Sequence, residues 1–161
     1  MSPSKAASHS VSGTLHSNVS SLTALKRFEV MNNQLYGALP SFAGLTQLQV
    51  LLLHHNNFTS IPADFFTDLL ALQVIDLGYN DSVAWGIPAS LKDCASLHNF
   101  TAIQANVTRQ IPNFMNALNF PSMFTLKLSF NNLEGGAAHE LQRSKSTVNG
   151  SRSMGWADGS G

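Results

Sequence analysis

One cysteine in 161 residues, Cys94, excludes any internal disulfide. It falls in a leucine position of the repeat described below, which makes it a small buried hydrophobe. Charge is scarce too: 11% of the chain, nine basic side chains against nine acidic ones. No basic stripe is left to neutralise phosphates, which removes nucleic acid as a partner. The longest apolar run, residues 50–53, falls far short of the ~20 residues a membrane helix needs, so direct membrane insertion is not expected. The first ten residues carry Lys5 but no apolar stretch, so no secretory signal is present as written. Catalytic patterns are missing as well. There is no Gly-x-Ser-x-Gly elbow and no motif that places a Ser, His and Asp together, so an enzyme is not expected. His54 and His55 adjoin, but His98 is two repeats away, roughly 10 Å by strand spacing, and no third ligand converges. No metal and no cofactor are expected.

What the chain does have is a repeat. The pattern L-x-x-L-x-x-L-x-L-x-x-N-x-L-x-G-x-I-P runs five times between Leu22 and Gly135, its starts separated by 23, 24, 25 and 26 residues. Those periods lie in the leucine-rich-repeat (LRR) range. Expected is an LRR solenoid of the α/β-type repeat with about five coils, a short parallel sheet on the concave face and irregular or 3₁₀ segments on the convex face. Residues 1–10, Ser-rich and without periodicity, are expected as a disordered N-terminal segment. Residues 11–136 form the repeats, and residues 137–161 a disordered tail with almost nothing to bury.

Each L-x-L pair should alternate in and out as a strand does. The asparagine three residues later (Asn33, Asn56, Asn80, Asn131) is a structural ladder whose amide bonds backbone groups of the turn and of the next coil. Ala105 stands in that position of the fourth repeat, which is therefore expected to be the loosest rung. Arg109 replaces a glycine in a turn that needs positive φ.

Residues between the fixed positions are free to act. On the concave side the candidate ligand-binding residues are Arg27, Glu29, Gln49, His54, His55, Asp76, Tyr79, Thr101, Gln104, Lys127 and Phe130. A rigid sheet carrying histidine, tyrosine and phenylalanine suits a protein or peptide ligand. Six N-x-S/T sequons occur, at Asn18, Asn57, Asn80, Asn99, Asn106 and Asn149. Asn80 is a ladder residue and should be inaccessible, so Asn57, Asn99 and Asn106 are the favoured N-glycosylation sites.

Finer details resemble one group. They are Ser-Gly-Thr-Leu at 12–15, Leu-Pro-Ser-Phe-Ala-Gly-Leu at 39–45, His-Asn-Asn-Phe-Thr-Ser-Ile-Pro at 55–62 and Trp-Gly-Ile-Pro-Ala-Ser-Leu at 85–91. The Asn-Phe-Thr-Ala at 99–102 and the Leu-Lys-Leu-Ser-Phe-Asn-Asn-Leu-Glu-Gly at 126–135 add to them. Together, over about residues 11–136, they resemble the first LRR block of the ectodomain in the transmembrane-kinase (TMK) family of plant LRR receptor-like kinases, here truncated. That resemblance implies an extracellular, plasma-membrane-associated recognition module linked to auxin-dependent growth signalling, with an apoplastic auxin-binding protein among its partners. Relatives carry a Ser/Thr kinase domain that these residues lack, so no signalling output of the chain's own is expected. Two alternatives stand beside this reading: a non-functional truncated gene product, or a soluble LRR scaffold or inhibitor.

Overall fold

The computed structural model describes residues 10–80 and 83–135. The expected terminal segments, 1–10 save its last residue and 137–161, lie outside the described residues, as does the sequon at Asn149.

Five three-residue strands, β2 (Arg27–Glu29), β4 (Val50–Leu52), β6 (Val74–Asp76), β7 (Asn99–Thr101) and β9 (Thr125–Lys127), pair in parallel in chain order. They come from the L-x-L pairs of the repeat. Their register is unbroken: Phe28, Leu51, Ile75, Phe100 and Leu126 stand side by side. A strand's side chains alternate, so this row points inward and its two flanking rows point out. The core behind the sheet is continuous from Val19 to Leu128. Its convex half is aromatic: Phe42 meets Phe65 edge-on at 5.2 Å and Phe65 meets Phe66 at 4.9 Å. The convex connections are turns and two 3₁₀ helices, Ser17–Ser21 and Ala89–Asp93, as the repeat leads one to expect. His16 caps the first of these, its Nδ1 accepting from Asn18 N.

A second, smaller set of parallel strands lies beside the ladder and was not foreseen. β1 (Ser12–Gly13), β3 (Gln34–Ala38) and β5 (Asn57–Ser60) form one sheet, and β8 (Thr108–Gln110) pairs with β10 (Asn132–Glu134). Spacing explains why these sheets are broken. From ladder position to the Ile/Leu before proline is six residues in repeats one and four, five in repeat two and seven in repeat three. The short repeat shifts the β3–β5 register at Gly37/Ala38. In the long one only a single bridge, Trp85 to Val107, survives.

The ladder itself is as expected. Asn56 Nδ2 donates to Val30 O (2.9 Å) on the preceding coil and Leu53 O (3.2 Å) on its own, while Oδ1 accepts from Leu35 N (3.0 Å). Asn80 repeats this with Leu53 O, Leu77 O and Phe58 N. Asn131 Oδ1 accepts from two backbone amides, Ala105 N (3.0 Å) and Val107 N (2.9 Å). Trp85 Nε1 donates to the Ala105 carbonyl at 2.6 Å. The residue before each ladder position (Asn32, His55, Tyr79, Gln104, Phe130) has a left-handed backbone, φ between 48° and 59°.

The first leucine slot behaves differently from the rest. Leu45, Leu69, Cys94 and Phe120 are fully buried, whereas Leu22 is 51% exposed. Cys94 is the buried hydrophobe expected: burial, then the Asp93 charge, pushes its thiol up to about 12 from 9.0. A folded value above the unfolded one means stability is full below pH 9 and falls as pH climbs from 9 toward 12. Urea midpoints across that range should drop for the wild type more than for Cys94→Ala. Equal slopes would show that the thiol is not what titrates.

Arg109 has φ 67°, in the slot that Gly37 (84°) and Gly135 (91°) fill in repeats one and five. A left-handed non-glycine backbone costs about 1–3 kcal/mol. Arg109→Gly is therefore expected to raise stability by about 1 kcal/mol after the extra unfolded-state entropy of glycine. Arg109→Ala keeps the strain and loses the side chain's packing on Gly86, so it should be neutral or destabilising. Denaturant unfolding of both variants checks the pair, and a glycine variant no more stable than wild type would remove strain from the account.

Candidate functional site

The strand register sorts the candidate residues into rows. Arg27, Val50, Val74, Asn99 and Thr125 lie abreast, and Glu29, Leu52, Asp76, Thr101 and Lys127 form the row beside them. All ten belong to the outward alternation of their strands, and Val50, Leu52 and Val74 are only half-buried. His54 comes one register step later, beside Gly78 and Ile103. Gly78 keeps this step flat, because an added Cβ would meet Ile103 O at 3.0 Å. The left-handed residues Asn32, His55, Tyr79, Gln104 and Phe130 then form the trailing edge of the sheet, linked rung to rung by backbone bonds such as Tyr79 N to Ile103 O (2.8 Å). Gln49 is on the opposite, leading edge with Gln73, His98 and Phe124. Of these ten, the sequence candidates include Arg27, Glu29, Asp76, Thr101 and Lys127, and Val74 was not placed on this face at all. The period-two step back from Asp76 would have found it.

Electrostatics on this face are local. Arg27 bonds Glu29 on the first rung. Asp76 Oδ1 accepts from Gly78 N at 2.9 Å, and its Oδ2 lies 3.5 Å from His54 Nδ1, too far for a well-formed hydrogen bond. The second long row therefore starts at Glu29, whose charge Arg27 meets, is apolar at Leu52, acidic at Asp76 and basic at Lys127. His55 stacks on Tyr79 with ring centroids 4.3 Å apart and planes 4° from parallel. His98 is turned away, its Nδ1 2.7 Å from Ser96 O and its ring against Phe124. Among the described residues no three metal-ligating side chains converge. No helix among them is long and apolar enough to cross a membrane.

Two open grooves flank the sheet. One of about 500 Å³ runs along the trailing edge, lined by Tyr79, Gln104 and Phe130 with Asn57, Asn106 and Asn132. A second, about 430 Å³, lies where Trp85, Ile87 and Pro88 of repeat three face Arg109 and Pro112 of repeat four. Neither groove was visible as such in the repeat pattern, since each joins residues of successive coils.

The sequons separate by exposure. Asn57 and Asn18 are exposed. Asn99 sits half-buried in strand β7 with its Oδ1 sealed from solvent, and Asn106 is half-buried and accepts from Asn132 Nδ2 at 3.2 Å. Asn80 is buried and its amide is spent on three carbonyls. Expressed through a plant secretory pathway, the chain is expected to carry sugar at Asn57 and Asn18 and none at Asn80. Glycopeptide mass spectrometry reads this out, and occupancy at Asn80 would mean that modification precedes folding of the ladder.

With this geometry in view, comparisons with known proteins agree on the architecture. The family model described as leucine rich repeat matches residues 46–99. The receptor-like kinase TMK2 of Arabidopsis thaliana is 43% identical over 124 residues, 76% of this chain and 14% of that kinase. Among solved structures, the LRR ectodomain of the Arabidopsis thaliana receptor kinase SOBIR1 superposes with a TM-score of 0.70 at 30% identity, covering 80% of this chain and 70% of that one. The Arabidopsis receptor kinase HAESA, in complex with the peptide hormone IDA and the co-receptor SERK1, gives a TM-score of 0.70 at 27% identity over 77% of this chain and 20% of that one. The kinase domain of such relatives is not among these residues. By repeat, fold and sequence, the chain belongs with the leucine-rich-repeat segments of the TMK-type plant receptor-like kinases.

Proposed function

We propose that the concave sheet is a recognition face for an extended peptide or a protein segment, laid across the five strands. The observation that carries this reading is the pair of aligned rows. Five strands at roughly 4.8 Å per step span about 19 Å, the length of about six extended residues. Val50, Leu52 and Val74 put an apolar patch on that track, Asp76 an acidic group beside it and Lys127 a basic group at its last rung, while Glu29 is paired with Arg27 at the first. Such a surface both buries apolar side chains and orients its ligand. The complex of HAESA with a peptide hormone and a co-receptor supports the same use of a similar fold.

The finer reading follows from the TMK resemblance. The segment acts on the extracellular side of the plasma membrane and contributes recognition to auxin-linked growth signalling, with an apoplastic auxin-binding protein as a partner. Kinase output resides in other parts of such receptors.

The test is selection of displayed random peptides on the full chain, followed by affinity measurement of the enriched sequences. Peptides carrying apolar residues and an acidic end to meet Lys127 are expected. Their Kd should rise about tenfold or more, ~1.4 kcal/mol, on Leu52→Arg and on Lys127→Glu. Enriched peptides that bind these variants as well as the wild type would place recognition elsewhere. Purified auxin-binding protein, titrated against the same variants, tests the named partner.

A further inference from the structure

The second groove lies in a gap of the smaller strands. β5 (Asn57–Ser60) and β8 (Thr108–Gln110) belong to separate sheets, and the long third repeat between them supplies only the Trp85–Val107 bridge. In that gap is an open groove of about 430 Å³ that joins three successive coils. Its walls are apolar: Ile61 from the second coil, Trp85, Ile87 and Pro88 from the third, Pro112 from the fourth. Trp85 and Ile87 are buried members of the core, so the floor is close-packed from behind. None of the sequon asparagines lines it.

One charged side chain enters this groove, Arg109. Its stem lies over Gly86, where an added Cβ would meet Arg109 Cδ at 3.3 Å. The residue is exposed, no carboxylate lines the groove, and the ion pairs among the described residues are Arg27–Glu29 and His54–Asp76. The guanidinium is therefore uncompensated. It is also held at a cost, since φ is 67° in the slot that glycine fills in repeats one and five. Backbone strain under the single charge of a groove points to a role in binding, because a glycine there would serve folding better.

A guanidinium presents a planar fork that matches a carboxylate with two parallel hydrogen bonds. Its one positive charge balances one carboxylate. A phosphate monoester, at about −1.5 to −2, would keep excess charge against apolar walls. Three coils span two steps, roughly 10 Å, which is the length of about three extended residues. In an extended segment, residues two apart face the same way.

We propose that this groove docks a short extended segment of a partner protein, with an aliphatic side chain against Trp85, Ile87 and Pro112 and a carboxylate two residues away on the Arg109 guanidinium. The groove uses none of the concave rows, so the inference stands whether or not that face binds peptide. One ion pair and one seated side chain give an isolated tripeptide a Kd on the order of 1 mM.

The experiment titrates the full ¹⁵N-labelled chain with acetyl-Leu-Ala-Glu-amide, and separately with its glutamine and phosphoserine counterparts in place of glutamate. Saturable shifts of the Arg109 Nε–H, Trp85 Nε1–H and Gly86 amide signals are expected with the glutamate peptide. The glutamine peptide should bind about tenfold more weakly, and the phosphoserine peptide no better than the glutamate one. The same shifts should appear in Lys127→Glu, which removes the basic group of the concave face and so separates the two surfaces. Ala63→Glu, at an exposed position of the groove lining, supplies a competing carboxylate and should weaken binding about tenfold. Arg109→Gly should do the same while unfolding at higher denaturant than wild type, a combination that a purely structural arginine would not give. Lys26→Ala, which removes an exposed charge elsewhere, should leave the titration unchanged. Signals unmoved at tens of millimolar peptide would overturn the proposal. So would equal binding of the glutamate and glutamine peptides, tighter binding of the phosphopeptide, or shifts that persist in folded Arg109→Gly and Ala63→Glu.

Discussion

A solenoid is held together by what joins each coil to the next, and beside strand pairing and the shared core one side chain sets their phase. Here that side chain is the ladder asparagine. One carboxamide donates to carbonyls of its own and the preceding coil and accepts from an amide that would otherwise be buried unpaired. It fixes the turn after each strand, and therefore the phase of each strand with its neighbours. It supports the unbroken register of the concave sheet and the alignment of its side-chain rows, which continue through the fourth rung where Ala105 takes its place. The broken sheet beside it shows the converse: beyond the asparagine the spacing to Ile-Pro varies by a residue either way, and pairing shifts or fails.

Legibility followed the same division. The strands, their inward rows and the ladder were readable because each follows from a fixed offset within one repeat. Cys94 was readable as a hydrophobe because its slot holds leucine or phenylalanine in the other copies. The fourth rung shows where single-repeat reasoning stops. Ala105 reads as a missing bond when taken alone. In the folded chain Asn131, from the next repeat, reaches its amide, and Trp85, from the previous one, reaches its carbonyl. A tryptophan ahead of Ile-Pro carries no hint of that contact twenty residues away.

For the site the limit was similar. Outward positions along a strand come from alternation, so Arg27, Glu29, Asp76, Thr101 and Lys127 were identifiable. Which of them are neighbours needs the register. Grooves were beyond reach because they are properties of successive coils: Asn57, Asn106 and Asn132 are far apart in sequence and converge only because each follows a ladder position by one residue. The exposure of Asn57 against the half-burial of Asn99 likewise depends on which of the two sheets each occupies.

The left-handed residue that precedes every ladder position limits the alphabet available at the sheet's trailing edge. At that backbone angle a branched Cβ collides with its own carbonyl, which excludes valine, isoleucine and threonine. Asparagine, histidine, tyrosine, glutamine and phenylalanine occupy the five positions, and every one has an unbranched Cβ followed by a flat or amide-tipped end. The geometry that stacks the coils thus also filters which side chains can face a ligand there. New specificity along this edge has to come from exchanging planar, unbranched groups while the backbone beneath them stays the same.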